Sequence, residues 1–125
     1  MKKVIFSASA PAAIGPYSQA IEANGFLFVS GQLPVDAQTG AFAPGGVAEQ
    51  TRQSLDNVKH ILSEAGLSMA DIVKTTVFLS DMSFFNDMNA VYSTYFADAF
   101  PARSAVAVKA LPKGALVEIE CIAAR

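Results

Sequence analysis

Arg103 is the residue of this chain whose position most needs a chemical explanation. It is a permanent positive charge at the head of an apolar, strand-like run over residues 103–108. A planar guanidinium can hold a carboxylate through two parallel hydrogen bonds, so a small organic acid is the first class of ligand to consider. The alternative is a structural arginine that reaches solvent or pairs with a carboxylate of its own chain.

Two carboxylates follow in a second alternating segment, at residues 117–123. Glu118 and Glu120 fall on one face of a strand, because successive side chains of a strand point to opposite faces. An arginine and two carboxylates in β-branched surroundings suggest a small polar site in a sheet. If the two segments pair as a hairpin, Arg103 and one glutamate approach each other, and a structural ion pair would then resemble a ligand site. The pattern does not choose between Glu118 and Glu120.

Three further residues precede or end strand-like runs and could contact a ligand. Tyr17 follows Gly15 and Pro16, which fix the backbone, so its hydroxyl could meet a ligand; a core aromatic at the start of a strand is the alternative. Ser30 and Gly31 end a hydrophobic run where main-chain N–H groups could approach a ligand atom, and a plain turn is the alternative.

Several other chemistries find no support in the residues. The chain has one histidine, His60, and one cysteine, Cys121, with no neighbouring ligand spacing, so neither a zinc site nor a Cys–His couple is expected. We predict an ordinary surface position for His60 and a buried, inert thiol for Cys121. Gly45 and Gly46 precede a helix without the Lys-Ser/Thr of a phosphate loop.

Length and composition favour a single domain over residues 1–125. Hydrophobic residues make up 52% of the chain and charged residues 16%, yet no apolar run is long enough to span a membrane. The excess of apolar side chains predicts a surface that is covered between subunits, and a homo-oligomer is the simplest form of it.

The charge pattern argues against a nucleic-acid partner. Nine basic and eleven acidic residues give a net charge of −2 and a pI near 5.2, without a block of lysines or arginines. The N-terminus lacks an apolar stretch of signal-peptide length, and a single cysteine fits a reducing compartment. A cytoplasmic location, away from membranes, is therefore expected.

Local patterns predict an α+β domain with a mostly antiparallel sheet and two helices on one face. Asn24-Gly25 predicts a hairpin between strands at 17–23 and 26–31. Apolar spacing followed by Gly66 predicts a helix over 47–65, and a second helix begins at Asp81 or Ser83 and ends before Pro101. The remaining predicted elements are strands at 71–79, 103–108 and 117–123, a turn at 111–114, and an optional N-terminal strand at 3–6.

Six segments of the chain have specific motifs. They are Ala-Pro-Ala-Ala-Ile-Gly-Pro-Tyr-Ser-Gln-Ala at 10–20, Val-Ser-Gly-Gln-Leu-Pro at 29–34, Gln-Ser-Leu-Asp-Asn-Val at 53–58, Ile-Val-Lys-Thr-Thr-Val-Phe at 72–78, Phe-Pro-Ala-Arg-Ser at 100–104 and Val-Glu-Ile-Glu-Cys-Ile-Ala at 117–123. Together they resemble the Rid (YjgF-like) family nearly from end to end. The arginine segment resembles the mark of its RidA branch, the reactive-intermediate imine deaminases, a family also labelled endoribonuclease L-PSP. The resemblance implies a chorismate-mutase-like α+β fold and a homotrimer with a barrel-like core and clefts between subunits.

The resemblance also implies hydrolysis of 2-imino acids, such as 2-iminobutanoate and 2-iminopropanoate, to 2-oxo acids and ammonia without a cofactor. By motif position, Arg103 would clamp the substrate carboxylate and Glu118 would position the attacking water. Tyr17 would be a pocket wall and hydrogen-bond partner. The implied substrate-binding residues are Ser30 and Gly31 as main-chain lining, Asn89 as a secondary pocket residue, and the backbone of Ala105.

Two departures from the family pattern and two rival functions stay open. Many members carry a cysteine where this chain has Ala105, and the segment 95–100 is short for the family. One rival function is a non-catalytic protein that binds 2-oxo acids in the same cleft. The other is a ribonuclease or translation inhibitor, which the acidic pI disfavours.

Overall fold

Six strands form one sheet that carries two helices on one face, as seen in a computed structural model that describes residues 1–125. The helices are α1, Val47–Glu64, and α2, Phe85–Ser93. The predicted single α+β domain with two helices and a mostly antiparallel sheet is therefore confirmed. The strands are β1 Lys3–Ile5, β2 Ala20–Ala23, β3 Phe26–Gln32, β4 Ile72–Leu79, β5 Ala102–Ala107 and β6 Val117–Ala124, in the spatial order β1-β2-β3-β6-β4-β5.

The predicted hairpin between β2 and β3 is present, with Asn24 and Gly25 at φ 53° and 80° in the turn. Strand β2, the first strand of this hairpin, begins at Ala20, three residues later than predicted. The buried amide of Gln19 binds the preceding loop instead: its Oε1 accepts from the Ser7 N–H at 2.7 Å, and its Nε2 donates to the Pro11 carbonyl at 2.8 Å. The residues before Ala20 are consequently part of a fixed loop and not of the sheet.

The last two strands do not pair as a hairpin. β5 is parallel to β4, because α2 carries the chain back to the end of the sheet from which β4 started. β6 then lies between β3 and β4, antiparallel to both. Arg103 is therefore opposite Thr75 of β4 and is separated from β6 by a whole strand.

Helix α1 agrees closely with its prediction, since both of its ends are set by local signals. At its start the Glu49 carboxylate accepts a hydrogen bond from the Gly46 N–H at 2.8 Å. At its end Gly66 takes φ 74°, and the Leu67 N–H donates to the Leu62 carbonyl at 2.9 Å. The apolar face of α1 packs against β3 and β6 and forms the centre of the core.

Helix α2 is shorter than predicted. It follows a 3₁₀ turn, Met82–Phe84, at which the Asp81 carboxylate accepts from the Ser83 N–H at 2.8 Å, as expected of a cap. It ends at Ser93 and not near Pro101, because the hydroxyls of Ser93 and Thr94 donate to carbonyls of the last turn. The residues between Ser93 and Pro101 are therefore outside the helix, and they form the rim beside Arg103.

The sheet face opposite the helices is open in the single chain. Phe28 on β3 and Val106 on β5 lie on that face and are each 45% exposed. The residues next to each of them along its strand point to the other face, toward the helices. Phe28 and Val106 are thus part of an exposed apolar surface on this face of the sheet. Neither helix is both long and apolar enough to cross a lipid bilayer.

Candidate functional site

Arg103 points from β5 toward α2, where three side chains hold its guanidinium. Nη1 donates to Asn89 Oδ1 at 2.7 Å. Cζ lies 4.8 Å from the ring centroid of Tyr92 and 5.4 Å from that of Phe85. No carboxylate of the chain pairs with it, since the one ion pair of this structure joins Arg125 to Glu22. The alternative of a structural ion pair between Arg103 and Glu118 or Glu120 is therefore wrong.

A cavity of ≈ 380 Å³ adjoins the guanidinium. Its walls come from α2 and from the segment that leads into β5. The guanidinium makes one hydrogen bond, from Nη1 to Asn89, so a small anion in this cavity could bind its other N–H groups. The lining residues are Asn89, Tyr92, Ser93, Phe100, Pro101 and Arg103.

Glu118 lies on the opposite face of the sheet from Arg103. It is opposite Phe78 of β4, whereas Arg103 is opposite Thr75, and positions three residues apart on a strand face opposite sides. Partial burial raises the pKa of the Glu118 carboxyl, and the nearby charge of Glu120 raises it further. Glu120 is more exposed than Glu118, so Glu118 is the better placed of the two to act as a proton acceptor.

Gly31 lies directly against Glu118. A Cβ atom at position 31 would be 2.5 Å from Glu118 Oε2 and 3.0 Å from its Cδ, so only glycine leaves room for this carboxylate. Gly31 is in a bulge of β3, because the register with β6 shifts between Val29 and Gln32. The plain turn considered as an alternative is absent, since the strand continues to Gln32.

Ser30 fixes the loop before β2. Its hydroxyl donates to the Ser18 carbonyl at 2.6 Å, and its main-chain N–H donates to the Gln19 carbonyl at 2.9 Å. Both donors of Ser30 are therefore engaged within the chain. The main-chain N–H of Ser30 is therefore not the free donor that the sequence suggested.

Tyr17 is in the loop that Ser30 holds and is 51% exposed, so it is not the core aromatic considered as an alternative. It borders a second cavity, of ≈ 250 Å³, which Gly31 and Lys113 also line. Gly31 thus lies next to Glu118 and also lines the cavity that Tyr17 borders. Arg103 and Asn89 form a separate cluster, and Ala105 shares the sheet face of Arg103 two residues along β5.

Phe85 and Tyr92 contact Arg103 but are absent from the site residues that the sequence predicts. A usable signal was present: Phe85, Asn89 and Tyr92 are spaced by four and three residues, which places them on one face of a helix. Two aromatic rings around an amide form a surface suited to a guanidinium.

Comparison with known proteins gives concordant results. The sequence matches the family described as Endoribonuclease L-PSP over residues 7–125. It is 54% identical to a RutC family protein of Pyrococcus horikoshii, over 98% of each chain. It is 50% identical to the 2-iminobutanoate/2-iminopropanoate deaminase of Bos taurus, over 98% of this chain and 90% of that protein. The crystal structure of E. coli TdcF with bound serine superimposes with a TM-score of 0.94 at 47% identity, covering 98% of both chains.

Proposed function

This chain belongs to the endoribonuclease L-PSP family, also called the Rid or YjgF-like family, and from that membership we propose that it hydrolyses small 2-imino acids to 2-oxo acids and ammonia. The family resemblance read from the sequence is thereby confirmed. The names of the mammalian relatives, about half identical over nearly the whole chain, support 2-iminobutanoate and 2-iminopropanoate as substrates.

The observation that carries the proposal is the free guanidinium of Arg103 beside a cavity. A cation that no carboxylate of the chain neutralises, and that Asn89 holds in one orientation, is suited to bind the carboxylate of a small acid. The serine bound to the TdcF structure is itself a small molecule with a carboxylate, which is in keeping with this ligand class.

Glu118 is assigned the second role, that of aiming and deprotonating water. A protonated imine carbon is already electrophilic, so water adds to C2 while its proton passes to Glu118. Glu118 then returns this proton to the amino nitrogen of the carbinolamine, so that ammonia leaves as the C–N bond breaks. The C=O bond forms as the hydroxyl proton passes to Glu118 and from there to solvent. Positioning of this kind lowers a barrier by several kcal/mol, up to about 7–11 in favourable model reactions. The raised pKa of Glu118 brings it nearer to that of an effective general base.

The complete site is proposed to form between subunits of a homotrimer. Arg103 and Glu118 face opposite sides of the sheet within one chain, so they can meet across one substrate only if different chains supply them. The open sheet face, with Phe28 and Val106 half exposed, provides an apolar surface for such an assembly. Tyr17 and Gly31 would then line the cleft next to Glu118, and Asn89 and Ala105 would line it next to Arg103. Ser30 would support the loop that carries Tyr17.

Arg103→Ala tests the clamp. With threonine dehydratase and threonine as the source of imine, we expect the variant to lose about 100-fold or more of the acceleration of 2-oxobutanoate release. Arg52→Ala is the matched control, because Arg52 is an exposed arginine of α1 remote from the cavity. Activity of Arg103→Ala near that of the control would overturn the proposal.

Subunit mixing tests the shared site. Arg103→Ala and Glu118→Gln chains should each be inactive alone. Refolded together, they should regain activity, because a mixed interface can pair Arg103 of one chain with Glu118 of another. Each variant refolded alone is the control, and light scattering measures the mass of the assembly. Mixed assemblies without activity would contradict a site shared between chains.

A non-catalytic 2-oxo acid binding protein is the second candidate, because the Arg103 cluster contains every contact that a carboxylate needs and Glu118 is not part of it. Glu118→Gln separates the two functions. If the protein is an enzyme, hydrolysis collapses while affinity for 2-oxobutanoate is retained. If it only binds, the wild type shows no turnover and the substitution changes nothing.

A further inference from the structure

Thr75 and Tyr92 connect β4, the strand beside the one that carries Arg103, to the ring beneath the guanidinium of Arg103. Thr75 Oγ1 and the Tyr92 hydroxyl are 2.7 Å apart, and the two residues are 1% and 3% exposed. Thr75 is also the register partner of Arg103 across β4 and β5. These three residues therefore contact one another in turn, and we call them the Arg103 contact triad. Thr75 is beside Arg103 in the sheet, Arg103 stacks on Tyr92, and Tyr92 bonds to Thr75.

The Arg103 contact triad restricts the side chain of Arg103, which is otherwise flexible. An arginine has several rotatable bonds, and a free one would lose much of that freedom on binding a ligand. Here the Tyr92 ring at 4.8 Å and the Phe85 ring at 5.4 Å fix the plane of the guanidinium, while Asn89 fixes its rotation within that plane. The remaining N–H edge is thus oriented before any ligand arrives.

The hydroxyl of Tyr92 is not needed to fill space, since a phenylalanine ring would occupy the same volume. A buried hydroxyl is costly without a partner, and this one meets another buried hydroxyl that is attached to the neighbour of Arg103. The bond between them therefore holds the ring together with the Phe96 ring, whose centroid is 4.9 Å away, and the Tyr92 ring lines the cavity beside Arg103.

We propose that Thr75 and Tyr92 are positioning residues of the carboxylate clamp: their hydroxyl–hydroxyl bond fixes the ring that orients Arg103 toward the acid group of the substrate. This inference rests on the proposed function, because it assumes that Arg103 binds a carboxylate. Neither residue takes part in the chemical step.

Tyr92→Phe and Thr75→Val each remove the bond while keeping the shape of the side chain. We expect each to weaken binding of 2-oxobutanoate about fivefold, as measured by calorimetry, and to raise KM for the imine more than it changes kcat. The double variant should be no weaker than either single one, because both remove the same bond. Thr75→Ser, which keeps a hydroxyl, should bind as the wild type does.

The specific readout is the preference for 2-oxobutanoate over its uncharged carboxamide, which a merely structural role would not change. Tyr95→Phe is the matched control: the Tyr95 hydroxyl bonds to Asp56 Oδ1 at 2.7 Å and is not near Arg103. It should reduce stability and leave the preference intact. If Tyr92→Phe and Thr75→Val also leave the preference intact, the positioning role is overturned. If Arg103→Ala leaves it intact as well, the proposed function is overturned with it.

Discussion

Gly31 lies against the carboxylate of Glu118 so closely that a Cβ atom at position 31 would be 2.5 Å from Glu118 Oε2. The bulge of β3 brings the backbone to this carboxylate, and the absence of a side chain at Gly31 leaves space for it. The position of the proposed base is therefore set by a neighbouring strand as much as by its own.

Gly31→Ala should strongly reduce the proposed deaminase activity with little loss of stability. Gly31 does not have the positive φ that opposes alanine, and the colliding atoms belong to the flexible end of Glu118, so the carboxylate moves and the fold remains. We expect at least about a tenfold fall in kcat/KM. Gly46→Ala is the control, because its Cβ would meet nothing closer than 3.9 Å. Equal activity in the two variants would show that the contact between Gly31 and Glu118 has no role.

Glu118→Gln should stabilise the protein at neutral pH and not at acidic pH. Folding raises the pKa of Glu118 above its ordinary 4.5, chiefly through burial, so the folded state retains a proton that the unfolded state has already lost. The free energy of unfolding of the wild type therefore falls as pH rises from 4.5 through the raised pKa. Thermal unfolding at pH 4 and pH 7.5 should show a gain in Tm for the variant only at the higher pH.

Glu120→Gln is the control for this dependence of stability on the pKa of Glu118. The charge of Glu120 is the second cause of the raised pKa, so Glu120→Gln should lower the pKa of Glu118 and reduce the gain from Glu118→Gln in that background. A gain of the same size at both pH values would contradict the assigned cause.

Asn57 and Ser54 of α1 should respond in opposite directions to alanine. The buried Asn57 amide donates to the carbonyls of Leu33 at 3.1 Å and Val35 at 2.9 Å, so Asn57→Ala leaves both without donors and should cost about 2–4 kcal/mol. Ser54 Oγ is buried without a partner, so Ser54→Ala should stabilise the protein by about 1 kcal/mol. Urea denaturation measures both, and a stabilising Asn57→Ala would contradict the assigned bonds.

Cys121 should be inert to thiol reagents in the folded protein. Burial raises its pKa to about 12, and the charge of Glu120 adds to the effect. At pH 8 roughly one molecule in ten thousand would carry a thiolate there. Iodoacetamide should leave activity unchanged, whereas denaturant should expose one thiol per chain to a colorimetric reagent. Rapid labelling of the folded protein would contradict this prediction.

The elements that the sequence predicted well are those whose ends depend on nearby residues. Asn24-Gly25 determines the hairpin through its own backbone angles, and Gly66 ends α1 in the same way. Helix α2 ends earlier than Pro101 predicts, since the hydroxyls of Ser93 and Thr94 already bond to carbonyls of its last turn.

The pairing of the strands, and with it the geometry of the site, could not be predicted from local pattern. Alternation over residues 103–108 is the same whether β5 runs parallel or antiparallel to its neighbour, so the relation of Arg103 to Glu118 stayed open until the strand order was known. Residue types did identify both as candidates for chemistry. The contact of Phe85 and Tyr92 with Arg103 could not be predicted, because the same helical spacing is typical of residues that pack in a core.

Strand β5 is the last in the sheet, and β4 is its only neighbour. Its outer backbone edge has no partner strand, so the residues that carry Arg103 belong to the part of the sheet most prone to local opening. Deuterium uptake by the amides of residues 102–107 should accordingly be fast in a dissociated chain and slow once another copy covers that edge. Uptake by this peptide would therefore report whether another copy covers the edge of β5.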